Sequence, residues 1–291
     1  MSRRPTPRRS GQRGVALLLV LWACTLLAIL LGGYAALART EGLQARYQFA
    51  QTRAHYAAEA GLMRAVYGLQ NPQAKQRWIG DGRPYTFQYD DATITLSAID
   101  ESGKVDLNAA SPDVLLGLFK ASGMKQADAQ ALADHVVDWR NPVGLEGETD
   151  SQRAAYVAAG RDYGPRNGPF ASVEELQMVL GMTPALYRQV APVLTLWSGS
   201  ASPDPNIAPP LALAAIPGMT PEQQNAIQAA RLKNANDPSL VLNNGTTHSI
   251  RSEATLADGT RAILRATIRV QAGQVGAQPY AVLRWQEGDA E

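Results

Sequence analysis

The segment Asp138–Asp150 (DWRNPVGLEGETD) sets Asp138, Asn141, Glu146, Glu148 and Asp150 on a stretch bent by one proline and two glycines. Carboxylates and loop carbonyls are the ligands calcium takes, about six to eight at a time. The spacing is not that of an EF-hand, so the residues leave two readings open, a solvated acidic loop and a calcium loop. Other reactive side chains are scattered. His55, His135 and His248 form no His-Glu-x-x-His pair and no other paired metal spacing. Gly103-Lys104 lacks the upstream glycine and the following Ser/Thr of a phosphate loop, and there is no Gly-x-Ser-x-Gly elbow. Asp100 and Glu101 adjoin at the end of an expected strand and read as solvated turn acids. No nucleophile and base can be paired by spacing, which points away from an enzyme.

The elements around these residues begin with a charge discontinuity. Arg3, Arg4, Arg8, Arg9 and Arg13 precede Gly14 with no acid among them, and the chain then runs uncharged to Ala38. Val15–Ala38 exceeds the roughly 20 apolar residues that cross a bilayer as a helix. The arginines hold the short N-terminus in the cytoplasm by the positive-inside rule. Three readings compete: a secretory signal cut after Ala36-Leu37-Ala38, a plain uncleaved anchor, and the start of a much longer helix. The residues that follow support the third. Arg39–Leu69 contains no proline, and Leu43, Tyr47, Ala50, Ala54, Ala57, Leu62, Ala65, Val66 and Leu69 recur at helical spacing. A helix from Val15 to Leu69 would be roughly 80 Å long. Gly32-Gly33 is the place for a break if there are two helices.

Strand patterning follows. Pro84–Gln88 and Ala92–Ile99 flank a turn at Tyr89-Asp90-Asp91, and Thr247–Leu256 and Thr260–Val270 flank Asp258-Gly259, a hairpin signal. In the last of these Ala262, Leu264, Ala266, Ile268 and Val270 alternate with Arg261, Arg265 and Arg269, which predicts one buried face. Pro279–Trp285 predicts a final strand. Together these segments predict one antiparallel sheet lying against the long helix, interrupted by a helical insertion. The insertion carries a weak repeat at Gly123-Met124, Gly181-Met182 and Gly218-Met219. Its best copies, Ser172–Leu194 and Pro210–Leu232, each predict an apolar helix, Gly-Met-Thr-Pro and a second helix. Thr183 and Thr220 would cap the second helices, with Pro184 and Pro221 at their first positions.

Such hairpins can bind DNA phosphates through Gly-x-Gly, but here the second glycine is missing and Glu174, Glu175 and Glu222 lie alongside. Removing residues 1–14 takes five arginines from a net charge of +1 and leaves −4, which disfavours nucleic acid. A membrane-anchored helix-hairpin-helix protein that captures DNA outside the cytoplasm is the alternative function. The sole cysteine, Cys24, lies in the apolar stretch, so no intramolecular disulfide can form.

A basic leader ending in glycine, followed by a helix half in lipid and half on a domain, resembles a type IV pilin-like protein. The resemblance becomes specific along the chain: Asp100–Ala110 (DESGKVDLNAA), the Asp-Trp segment at Asp138, Pro165–Leu194, and Asn206–Pro209 leading to Pro217-Gly218-Met219 occur in the order found in the minor pseudopilin K family of type II secretion. Two departures are Arg140-Asn141, where more acidic residues are common, and Asn206-Ile207-Ala208-Pro209, which lacks a frequent threonine before the alanine.

The resemblance implies an α+β fold, with a type IV pilin-like N-terminal helix packed on an antiparallel sheet and a large all-helical insertion of sterile-alpha-motif or helix-hairpin-helix type. It divides the chain into a leader (1–14), a transmembrane and amphipathic helix (15–70), a pilin-like domain (71–100 and 241–291) and an insertion (101–240). It implies cleavage by prepilin peptidase between Gly14 and Val15, methylation of Val15, and calcium at Asp138, Asn141, Glu146, Glu148 and Asp150. Leu19 stands where most pilin-like proteins carry a glutamate, which suits a subunit at the filament tip. The implied partners are other minor pseudopilins, prepilin peptidase and the inner-membrane assembly platform. The implied location is the bacterial inner membrane with the C-terminal domain in the periplasm.

Overall fold

The computed structural model describes residues 13–142, 148–234, 245–271 and 279–288. It divides into two compact units, one ending at Arg53 and the other running from Ala54. The first helix, α1 (Arg13–Leu69), contributes to both and is unbroken at Gly32-Gly33. In the first unit its apolar side chains are exposed all round, and the most apolar window is 0% buried. Hydroxyls in this unit bond to the helix itself, Thr25 Oγ1 donating to the Trp22 carbonyl at 2.8 Å and Thr40 Oγ1 to that of Ala36 at 3.0 Å. A helix so built satisfies its polar groups without water, as a lipid interior demands. It is the one described helix long and apolar enough to cross a membrane.

In the second unit α1 turns amphipathic. Ala54, Ala57, Ala58, Leu62, Ala65, Val66 and Leu69 are buried along one face. Leu62, wholly buried, contributes on the order of 2 kcal/mol. The stripe lies on a five-stranded antiparallel sheet of β1 (Asp81–Tyr89), β2 (Ala92–Asp100), β5 (Thr247–Leu256), β6 (Arg261–Val270) and β7 (Tyr280–Glu287), ordered β1-β2-β5-β6-β7. Small residues set the approach: a Cβ on Gly61 would sit 2.2 Å from Ser252 Oγ and 2.8 Å from Ile94 Cγ2. Pro84 lies on edge strand β1 beside a register irregularity, where a residue without an N–H is tolerated. The expected alternation on β6 is present, with Leu264, Ala266 and Ile268 buried.

Between β2 and β5 the chain builds a second core. The two-residue strand β3 (Val105–Asp106) pairs in parallel with β4 (Leu194–Thr195), tying the start of that core to a later segment of it. Around it lie α2 (Pro112–Ala121), α3 (Gln126–Arg140), α4 (Glu148–Ala158), α5 (Pro184–Val190), α6 (Pro210–Ala214) and α7 (Pro221–Asn234). Ser111 caps α2, accepting from Val114 N–H, with Pro112 following. The α3 residues Ala129, Leu132, Ala133, Val136 and Trp139 fall on one face and are buried.

The three Gly-Met repeats share a cause. Gly123, Gly181 and Gly218 have φ of 93°, 91° and 76°, the left-handed region that favours glycine. Thr183 caps α5 as expected, accepting from Leu186 N–H at 3.2 Å. Thr220 and Gln223 form a capping box ahead of α7: the Thr220 N–H donates to Gln223 Oε1 at 2.9 Å, and the Gln223 N–H to Thr220 Oγ1 at 3.3 Å. The first limbs differ from expectation. Instead of full apolar helices they are a 3-10 helix, Val173–Met178, and the five-residue α6. Tyr163 Oη donates to the Met178 carbonyl and Tyr156 Oη accepts from Leu180 N–H, using the groups that would extend the former. Pro209-Pro210 and Pro217 confine the latter.

Candidate functional site

The acidic segment is divided between two helices. Asp138 occupies the last turn of α3, and Asn141 is its C-cap, its N–H donating to the Val137 carbonyl at 3.0 Å. Glu148 and Asp150 begin α4. Glu146, and the side chains of Glu148 and Asp150, lie outside the described residues. The donor set is carboxylate and amide oxygen, the chemistry of a hard cation. Among the described residues, no three His, Cys, Asp or Glu converge as a metal cluster.

What the structure shows around Asp138 is a well-bonded base. Asn167 Nδ2 donates to the Asp138 carbonyl at 3.2 Å and to Gln152 Oε1 at 3.0 Å. Trp139 is buried beside Tyr156, Tyr163 and Phe170, and its Nε1–H donates to Glu175 Oε1 at 2.9 Å. Burial pushes the Glu175 carboxyl up, but bonds from Ala171 N–H, Trp139 and Arg166 outweigh it and hold its pKa below the usual range. Arg140, a departure in the sequence pattern, has a structural task. Its guanidinium donates to the Leu107 carbonyl at 2.8 Å and the Ala110 carbonyl at 2.7 Å, fastening α3 to the chain after β3.

Asp100 and Glu101 are not solvated turn acids. Each is 2% exposed. Asp100 Oδ1 accepts from Ser102 N–H at 2.9 Å and Ser102 Oγ at 2.8 Å, and Oδ2 accepts from Gly245 N–H at 3.1 Å. A Cβ on Gly245 would fall 1.8 Å from Oδ1, so only glycine fits that cradle. Glu101 pairs with Lys104 Nζ at 2.8 Å. His248, 3% exposed, places Nε2 3.8 Å from Asp100 Oδ2. The carboxylates are buried because the chain leaves the sheet here for the insertion, and their bonds close that corner. Asp100 and Ser102 at positions i and i+2 are the spacing of an Asx turn, the one local signal that could have found it. His248 had none.

At the N-terminal junction, α1 is helical from Arg13, residues 1–12 lie outside the described residues, and Leu19 is 66% exposed on the apolar helix.

Residues 94–199, from β2 through the buried corner and the Asp-Trp segment to β4, match the family model of type II secretion system protein K. The type II secretion system protein K of Pseudomonas aeruginosa is 30% identical over 248 residues, covering 77% of this chain and 73% of that protein. This chain belongs to the type II secretion system protein K family. The Klebsiella pneumoniae protein of the same name is 30% identical over 254 residues, covering 77% of this chain and 75% of its own length. The fold is also that of a chain in the crystal structure of the GspK–GspI–GspJ complex from the enterotoxigenic Escherichia coli type 2 secretion system, with a TM-score of 0.58. That match has 16% identity and covers 85% of this chain and 100% of the other. The long helix, antiparallel sheet and inserted helical head are thus a protein K fold of the pilin-like class. The family is a structural component of secretion.

Proposed function

We propose that this chain is a minor pseudopilin that stands at the tip of the type II secretion pseudopilus, assembling with other minor pseudopilins to initiate or cap the filament. The observation that carries this reading is the protein K fold joined to α1, whose membrane-competent part is uncovered while its later turns are amphipathic. The helical head inserted between β2 and β5 adds width to the pilin-like sheet, and a wide head suits one copy at an end better than many in a shaft. Prepilin peptidase would cut between Gly14 and Val15 and the new Val15 amine would be methylated. Leu19, with no carboxylate, cannot neutralise the amine of a neighbouring subunit. The arginine-rich leader orients the N-terminus to the cytoplasm and the head to the periplasm, where the inner-membrane assembly platform would receive the subunit. The role is assembly rather than catalysis.

The full chain, produced with a prepilin peptidase and read by mass spectrometry, should begin at methylated Val15. An uncut chain, or a cut elsewhere, sinks the pseudopilin reading.

The segment Asp138, Asn141, Glu146, Glu148 and Asp150 would hold calcium between the end of α3 and the start of α4. Calcium should raise the melting temperature of the full chain in detergent, and Asp150→Ala should abolish the rise. No shift on adding calcium retires the metal.

A further inference from the structure

The two edges of the sheet are built differently. Edge strands present unpaired N–H and C=O groups, and proteins blunt them with charge, proline or a bulge. The β7 edge has charge and an interruption in mid-strand. Arg284 and Glu287 are exposed there, and the register shifts between Thr267 and Ile268 of its neighbour β6. The β1 edge carries its devices at one end only. Asp81 and Arg83 bond each other at 2.9 Å, Pro84 follows, and the register irregularity lies between Asp81 and Pro84. From Tyr85 to Tyr89 (YTFQY) the pairing with β2 is regular and no side chain is charged. Among the described residues, no strand pairs with the outer edge of this run.

Side chains alternate across a strand. Tyr85, Phe87 and Tyr89 stand opposite Leu96, Ile94 and Ala92, which are buried, so the three aromatic rings share the face that carries α1. Tyr85 stacks on Trp78 with ring centroids 4.2 Å apart, and its hydroxyl accepts from Ile79 N–H at 2.8 Å, which fixes the ring. Tyr89, at the other end, is 53% exposed. Thr86 and Gln88 lie on the opposite face and bond back into the sheet. Gln88 Nε2 donates to Thr93 Oγ1 at 2.9 Å, and the hydroxyls of Thr86 and Thr95 meet at 3.4 Å. The edge therefore offers an incoming chain backbone hydrogen bonds, flanked by aromatic rings on one side and short polar side chains on the other.

We propose that the β1 edge binds a strand of a partner protein, an uncharged extended segment with aromatic or β-branched residues at alternate positions. A row of backbone donors and acceptors is matched by an extended chain, which adds a strand to the sheet. A helix has already paired its own N–H and C=O groups and cannot meet them. The side chains set the chemistry of the partner. Aromatic and β-branched neighbours stabilise paired strands, and Tyr85, Phe87 and Tyr89 supply one half of such pairs. A charged residue in the incoming strand would find no opposite charge on Tyr85–Tyr89. This edge is separate from the leader and the apolar anchor, so the proposal stands or falls independently of the pseudopilin reading.

The test uses the full chain in detergent and a fluorescent peptide of sequence TYTVTYT, read by anisotropy. The peptide should bind saturably. Its fully N-methylated form keeps the side chains and loses the N–H donors, so it should bind about tenfold or more weakly, as expected when several backbone bonds are lost. Thr86→Lys with Gln88→Lys places charge on the edge and should weaken binding by a similar factor, with the melting temperature checking that the variant folds. Should that variant unfold, the comparison of the two peptides still decides. Gln286→Lys, on β7, should leave binding unchanged. Absence of binding, equal binding of the two peptides, or equal weakening by the β7 variant would overturn the proposal. So would a dimer of the full chain that Thr86→Lys with Gln88→Lys dissociates, since a second copy would then be the occupant.

Discussion

His248 is the residue whose environment departs furthest from its appearance in the sequence. It is buried near the start of β5, and neither ring nitrogen has a hydrogen-bond partner among the described residues. Burial lowers its pKa below 6.5, against the upward pull of Asp100 and Glu101. As pH falls, the unfolded chain therefore takes up this proton before the folded one. The His248 contribution should be intact above 6.5 and decline as pH falls through that value toward the lower folded pKa. Melting temperatures taken from about pH 7.5 to about pH 5 should show this decline, and His248→Gln should flatten it. An unchanged slope would show that other groups set the acid sensitivity.

Among the elements, the Gly-Met hairpins were legible because each rests on a neighbourly rule. A left-handed glycine ends one limb in all three, and in the second and third a threonine cap, Thr183 or Thr220, with proline behind it starts the next. Gly181→Ala should destabilise the chain by about 1–2 kcal/mol, the penalty for placing a Cβ in the left-handed region. The urea midpoint should show this, whereas Gly160→Ala, also at positive φ (76°) but with nothing near its Cβ, tests whether strain alone is responsible. A Cβ added at Gly181 would lie 3.7 Å from Leu132 Cδ1, an ordinary contact, so the two losses should be similar, and a loss at Gly181 well above that at Gly160 would contradict strain as the sole cause. The limbs preceding these glycines were less legible. Val173–Met178 has the composition of a helix, but Tyr156 and Tyr163, outside that segment, divert its backbone bonds.

The second unit as a whole has two apolar centres. One lies between α1 and the sheet, the other within the helical insertion from Val105 to Ala215. They meet at the buried corner where Asp100 bonds both Ser102 and Gly245. Asp100→Ala leaves those donors unpaired and loosens the only strand exit into the insertion from β2. Calorimetry of the full chain should show one cooperative transition for the unaltered second unit, and two for Asp100→Ala. A single transition shifted as a whole would place the coupling elsewhere. Asp100 and Ser102 of that corner lie within the span matched by the protein K family model, and Gly245 lies beyond it.

Local rules were sufficient for the apolar anchor, the alternation on β6, the Asp258-Gly259 turn and the threonine caps, because each depends on residues within a turn or two of one another. They also placed the five strands in one sheet around a helical insertion. They could not reveal that Asp100 and Glu101 are buried, that Arg140 fastens α3 to the chain after β3, or that Tyr85–Tyr89 lies at an edge of the sheet. Those facts depend on segments far apart in sequence being brought together in a fixed register, and a one-residue slip would turn each side chain to the opposite face. Folding thus converts two ordinary-looking acids into a corner joining two cores, and an uncharged aromatic strand into a sheet edge.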